Sequence, residues 1–166
     1  MCAHFSGDFH QVDCNQIDTP PRFLTREVKI GELIIGGCQP IRVQSMTTTD
    51  TMDTMGTVAQ TMRMVNAGCE LVRITAPSVK EANNLASIKK ELAKRGCYVP
   101  LVADIHFTPN AAEVAARIVE KVRINPGNYA DKKRFDNIDY TPLEYQAELD
   151  RIYAKFKPLV AICKEH

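Results

Sequence analysis

Short apolar runs alternate with amphipathic stretches along most of this chain, and the alternation has a regular pitch. The runs fall at residues 41–46, 71–75, 101–106 and 121–125, so their starts lie 30, 30 and 20 residues apart. That is the spacing of successive strand-helix units in a parallel sheet, the last two joined by a shorter helix. Two further apolar runs, 28–31 and 33–37, flank a turn and predict a β-hairpin ahead of the repeat. Residues 1–27 have no clear period, carry Pro20-Pro21, and read as a loosely held leader to a folded part spanning 28–166.

Helix punctuation agrees with this reading. Ser78 with Glu81 forms a capping box, Thr108-Pro109 puts proline at a first helical position, and Thr141-Pro142-Leu143-Glu144 combines both signals. Gly68 and Gly96 stand where a helix must end before the next strand. The helix from about Asp53 carries Met55, Val58, Ala59, Met62 and Val65 as an apolar stripe expected to pack on the sheet. Its methionines read as core rather than as a cofactor contact.

Four such units amount to the first half of a (β/α)₈ TIM barrel, a fold of about 250 residues when complete. The chain reaches His166 through a long helix interrupted by Pro158, where a fifth strand is due, so the sequence reads as cut short. A half-barrel leaves two sheet edges and one sheet face unpartnered, which predicts self-association or a compact open sheet.

Composition narrows the function classes. Lys and Arg number 21 against 20 Asp and Glu, a balance that offers no field for bulk nucleic-acid or anionic-membrane binding, so any anion site must be local. Six cysteines, at 2, 14, 38, 69, 97 and 163, make no C-x-x-C pair and read as reduced, mostly buried thiols rather than metal ligands. No signal peptide or membrane-length apolar run is present, and a cytoplasmic protein fits both features.

The polar residues at the strand ends carry the chemistry. Gln44 precedes Met46, Arg73 precedes Thr75, Asp104 precedes His106 and Arg123 precedes Asn125, each pair two apart and so on one face. A purely structural barrel would place Val, Ile or Leu there, because burying unpaired charges costs several kcal/mol. Two guanidinium forks suit phosphate or diphosphate, and the Asn125-Pro126-Gly127-Asn128 turn could add backbone N–H groups. The plain alternative is an Asp104–arginine ion pair that only braces the strands. Asp104-x-His106 would also serve as two metal ligands, but no further His lies at a strand end: His4 and His10 fall in the leader and His166 is terminal. Ser45 and threonines 47–49 read equally well as phosphate contacts or as turn and cap residues. Asp131-Lys132-Lys133-Arg134 reads as a solvated charge run.

The strings Val43-Gln44-Ser45-Met46-Thr47, Leu71-Val72-Arg73-Ile74, Val99-Pro100-Leu101-Val102-Ala103-Asp104-Ile105-His106-Phe107 and Arg123-Ile124-Asn125-Pro126-Gly127-Asn128 closely resemble the hydroxymethylbutenyl diphosphate synthase family, in the family's order. The match spans about residues 28–128, and V-A-D-I-H-F together with R-I-N-P-G-N is highly specific. The resemblance implies a barrel that binds methylerythritol cyclodiphosphate, a C-terminal domain with a [4Fe-4S] cluster, and reductive ring opening fed by flavodoxin or ferredoxin. It implies substrate contacts at Arg73, His106, Arg123 and Asn125, an orienting carboxylate at Asp104, and lesser contacts at Gln44 and Ser45. The stretch 129–157 resembles longer members with an extra domain between barrel and cluster domain. The cluster cysteines and the second half of the barrel are absent from this sequence, so the segment alone is expected to bind no cluster and to have no turnover.

Two rival readings keep the same fold. One is a barrel of the dihydropteroate synthase type, which would bind a pterin diphosphate and need no cluster. The other is a non-catalytic structural module whose strand-end charges pair only with each other.

Overall fold

The computed structural model describes residues 24–131 and 139–166. The chain divides into two compact units, Met1–Ile41 and Arg42–His166. In the first, β1 (Val28–Ile30) pairs antiparallel with β2 (Leu33–Ile35), as the two apolar runs predict. Of the predicted leader, residues 1–23 lie outside the described residues. Thr25 and Glu27 are tied to the hairpin: Gly37 N–H donates to Thr25 O and Oγ1, at 3.2 and 3.0 Å, and Gln39 donates to the Glu27 carboxylate.

The second unit is built on a four-stranded parallel sheet in sequence order: β3 (Gln44–Met46), β4 (Leu71–Thr75), β5 (Leu101–Ile105) and β6 (Lys121–Ile124). Strands added one after another in the same direction, each after a helix, are the first half of a barrel wall. The helices are α1 (Thr54–Asn66), α2 (Val79–Lys94), α3 (Pro109–Ala116), α4 (Pro126–Ala130) and α5 (Pro142–Glu165). Leu85, Ile88 and Leu92 of α2 meet Val72, Ile74, Ala103 and Ile105 of the sheet in one core. Burying each of these large side chains contributes about 1.5–3 kcal/mol.

The predicted caps are present. Both capping boxes form, at Ser78/Glu81 and Thr141/Glu144, and Pro109 sits in the first turn of α3. Gly68 and Gly96 adopt φ +95° and +70°, so each supplies the left-handed residue that ends a helix.

Four expectations need correction. The first strand is only Gln44–Met46 rather than 41–46, because the Val43 N–H goes to the Glu70 carboxylate at 2.9 Å instead of into the ladder. The buried face of α1 is Thr57, Val58 and Thr61, with Met62, Met64 and Val65 partly buried, while Met55 and Ala59 are exposed. The helix is turned this way because the Thr57 hydroxyl reaches the Asp50 carbonyl at 3.1 Å and the Thr49 hydroxyl at 2.8 Å. Pro158 does not interrupt α5: Leu159 and Ile162, buried beyond it, hold the following turn in the core. Residues 126–130 form a short helix rather than a turn, with Asn125 as its cap.

Two glutamates set strand register in a way periodicity does not reveal. Glu70, just before β4, takes the Val43 N–H and pairs with Arg42 at 3.0 Å. Glu120, just before β6, takes the Leu101 N–H at 2.9 Å and pairs with Lys89 at 2.7 Å. In each case a carboxylate at the mouth of one strand clamps the start of the neighbour that precedes it.

Candidate functional site

Parallel register places the polar residues row by row. Met46, Arg73, Val102 and Lys121 are aligned across the sheet, and the next row of the same face holds Thr75, Asp104 and Arg123. Val72, Ile74, Ala103 and Ile105 take the alternate positions and pack under the helices, so the polar rows face the barrel interior. His106 and Asn125 follow directly on β5 and β6 at the strand C-terminal ends.

Asp104 is the hinge of the arrangement. Its side chain is 0% exposed, yet both oxygens are satisfied: Arg73 Nη2 donates to Oδ2 at 2.5 Å and Arg123 Nη1 donates to Oδ1 at 3.1 Å. A buried carboxylate is tolerated only when paired and bonded in this manner. The Arg73 and Arg123 side chains are 27% and 40% exposed, and each guanidinium has N–H groups that Asp104 does not use. The Nε of Arg73 is buried and has no partner among the described residues. Such an orphaned donor costs about 1–3 kcal/mol unless something accepts from it. His106 Nε2 stands 3.7 Å from Asp104 Oδ2, beyond hydrogen-bond reach, with its ring tilted against Phe107.

The strand-bracing ion pair therefore coexists with guanidinium N–H groups that Asp104 leaves unused. Arg73, Asp104 and Arg123 come together, with His106 beside them. Asn125 is exposed, and its side-chain oxygen accepts the Asn128 N–H at 3.3 Å, capping α4. That bond occupies one of the backbone donors the sequence reading offered to an anion. Gln44 shares the interior face, whereas Ser45, in register with Val72, lies on the opposite one. Threonines 47–49 serve the loop: Gln60 Oε1 accepts from Thr48 and Thr49 N–H, and the Thr49 hydroxyl bonds to Thr57. Thr51 Oγ1 donates to Thr75 O at 2.6 Å, and Asn84 of α2 donates to Thr51 O at 2.7 Å, fixing this loop to the end of β4. Asp131 of the predicted charge run is bonded by Arg151, and residues 132–134 lie outside the described residues.

Two interior features escaped the sequence reading. Lys121 lies on the same face as Arg123 and Asn125, and the alternation that selects those residues would have selected it. The Thr51–Asn84 clamp has no signal in the local pattern.

The profile of the GcpE TIM-barrel domain family matches residues 25–166. This chain belongs to that family. Among its relatives, a protein of Leptospira interrogans is 58% identical over 141 residues, covering 85% of this chain and 21% of the relative. A relative in Akkermansia muciniphila is 52% identical over 145 residues, 87% of this chain and 25% of its own length. A third, in Parabacteroides distasonis, is 54% identical over 139 residues, 83% and 23% respectively. All three are named 4-hydroxy-3-methylbut-2-en-1-yl diphosphate synthase (flavodoxin). The chain spans about a fifth to a quarter of the length of these curated relatives.

The described residues offer no ligand set for the iron-sulfur cluster that the resemblance implies. Among the described residues no three His, Cys, Asp or Glu side chains gather to hold a metal. Of the four described cysteines Cys69 and Cys97 are buried and Cys38 and Cys163 exposed, with Cys2 and Cys14 outside the described residues, and Cys69 donates to the carbonyls of Val43 and Leu71. No helix among the described residues is long and apolar enough to cross a membrane.

Proposed function

We propose that the strand-end face binds the two phosphates of methylerythritol cyclodiphosphate. The enzyme that carries this barrel reduces that substrate to 4-hydroxy-3-methylbut-2-en-1-yl diphosphate. A [4Fe-4S] cluster, which would be held by residues other than these, would supply the redox chemistry, with flavodoxin or ferredoxin as the electron donor. The observation that carries the reading is one fully buried carboxylate gripping two arginines whose side chains stay partly exposed. The product name shared by the relatives supports it.

In this reading Asp104 contacts no substrate; it fixes the two arginines so that their free N–H groups are aimed before the anion arrives, avoiding reorganisation when it binds. Arg73 and Arg123 offer the guanidinium N–H groups that Asp104 does not occupy, and His106 and Asn125 donate from the rim, with Gln44 on the same face. Ser45, facing the other way, is the least direct of the proposed contacts. The barrel positions and neutralises the substrate, and by itself this chain has no turnover.

Anaerobic turnover of methylerythritol cyclodiphosphate by the full-length enzyme with a reduced viologen tests this. Arg123→Ala is expected to lower kcat/KM at least tenfold, a loss of about 1.4 kcal/mol. An unchanged kcat/KM in a variant that holds its cluster would sink the reading.

A further inference from the structure

The interior row below Asp104 holds a charge that the site described so far does not use. Arg73 and Lys121 flank Val102 on either side, in register, and Val102 is two residues before Asp104. Both cations therefore stand diagonally below the Asp104 carboxylate. From a strand spacing of about 4.8 Å and a rise of about 3.3 Å per residue, each Cα lies roughly 8 Å from that of Asp104. Arg73 demonstrates that a long side chain in this row climbs to the row above, since its guanidinium reaches Asp104 Oδ2 at 2.5 Å.

Lys121 has the mirror-image placement, and the carboxylate has no oxygen left for it: Oδ2 is taken by Arg73 and Oδ1 by Arg123. Its own ammonium has no ion-pair or hydrogen-bond partner among the described residues, although it is only partly exposed. The row around it is otherwise apolar, Met46 and Val102, apart from Arg73. A partly exposed lysine on this face, beside buried Val102 and with no carboxylate paired to it among the described residues, is available to an anion from outside the chain.

We propose that Lys121 is a third cation of the anion site, acting from beneath the two arginines. Three cations and one carboxylate leave a net charge of +2 on this face, which neutralises the two negative charges of a cyclic diphosphate. A site of Arg73, Asp104 and Arg123 alone carries +1 and suits a monoanion. The inference deepens the function proposed above and rests on it: Lys121 sets selectivity for a doubly charged phosphate ligand by long-range attraction. A unit charge about 8 Å away, at an effective dielectric of about 20 and screened by physiological salt, is worth roughly a three- to tenfold change in affinity.

The test is equilibrium binding of methylerythritol cyclodiphosphate to the full-length enzyme over a range of salt, for wild type, Lys121→Met, Lys121→Arg and Arg123→Ala, with thermal unfolding of each. The expected result is a roughly three- to tenfold weaker Kd for Lys121→Met at physiological salt, a larger weakening at low salt, a shallower salt dependence, and recovery in Lys121→Arg. Weakening that fades at high salt separates an electrostatic role from a packing one. If Arg123→Ala weakens binding but Lys121→Met leaves Kd and its salt dependence unchanged, whatever its melting temperature, Lys121 is only a structural residue and this inference is wrong. If Arg123→Ala also leaves binding unchanged, the anion-site reading itself fails.

Discussion

Replacing Asp104 by Asn removes the charge that two guanidiniums share while leaving the shape of the side chain nearly intact. Its size follows from the burial of the partners. A fully buried ion pair that loses one member costs about 3–5 kcal/mol, and an exposed pair about 0.2–1 kcal/mol. Here the carboxylate side chain is 0% exposed, but the Arg73 and Arg123 side chains are 27% and 40% exposed and can regain water. The loss should fall between the limits, about 1.5–3 kcal/mol for Asp104→Asn. Arg73→Met, which keeps the apolar stem, then supplies the second arm of a double-mutant cycle read by denaturant unfolding of the full-length enzyme. Coupling of about 1–2 kcal/mol between the two positions is expected, because once Asp104 is neutral the Arg73 guanidinium has lost its main partner. Additivity to within about 0.5 kcal/mol would show that the Arg73–Asp104 contact does not brace these strands.

Thr61→Val should raise stability by about 1–2 kcal/mol, seen as a higher denaturation midpoint, since the Thr61 hydroxyl is fully buried in α1 without a partner and valine keeps its shape. Acid should weaken the sheet through Glu70. The Val43 N–H and then Arg42 hold its carboxyl below the ordinary 4.5, so its contribution is complete above 4.5 and is lost as pH falls through the lower folded value. Glu70→Gln should flatten that part of the acid unfolding profile, and an unaltered profile would remove Glu70 from the account. Gly36→Ala should cost more than Gly96→Ala in thermal melts. Both glycines are left-handed, but a Cβ at 36 would lie 2.3 Å from the Arg26 carbonyl oxygen, and nothing lies within 4 Å at 96.

The sheet was legible because its signals are local. Strand spacing, two capping boxes and two helix-ending glycines depend only on residues near one another, and each recurs in the structure. The face of α1 was misread for a physical reason: apolar periodicity favours Met55 and Ala59, whereas hydrogen bonds from Thr57 to Asp50 and Thr49 turn the threonine edge inward. Pro158 inside α5 was likewise overridden by tertiary packing at Leu159 and Ile162. In the site, alternation correctly put Arg73, Asp104 and Arg123 on one face. It could not tell that a single carboxylate would hold both arginines, because that depends on register between three strands. The clamps from Glu70 and Glu120 are invisible for the same reason, since each acts on the start of a strand about 20 residues or more away.

The most direct test of the central claim is an experimental structure of the full-length enzyme with methylerythritol cyclodiphosphate bound. The account predicts phosphate oxygens within hydrogen-bond distance of the guanidinium N–H groups of Arg73 and Arg123 that Asp104 does not occupy, with Asp104 still holding both guanidiniums from behind. A diphosphate seated away from these strand ends, touching neither arginine, would contradict it.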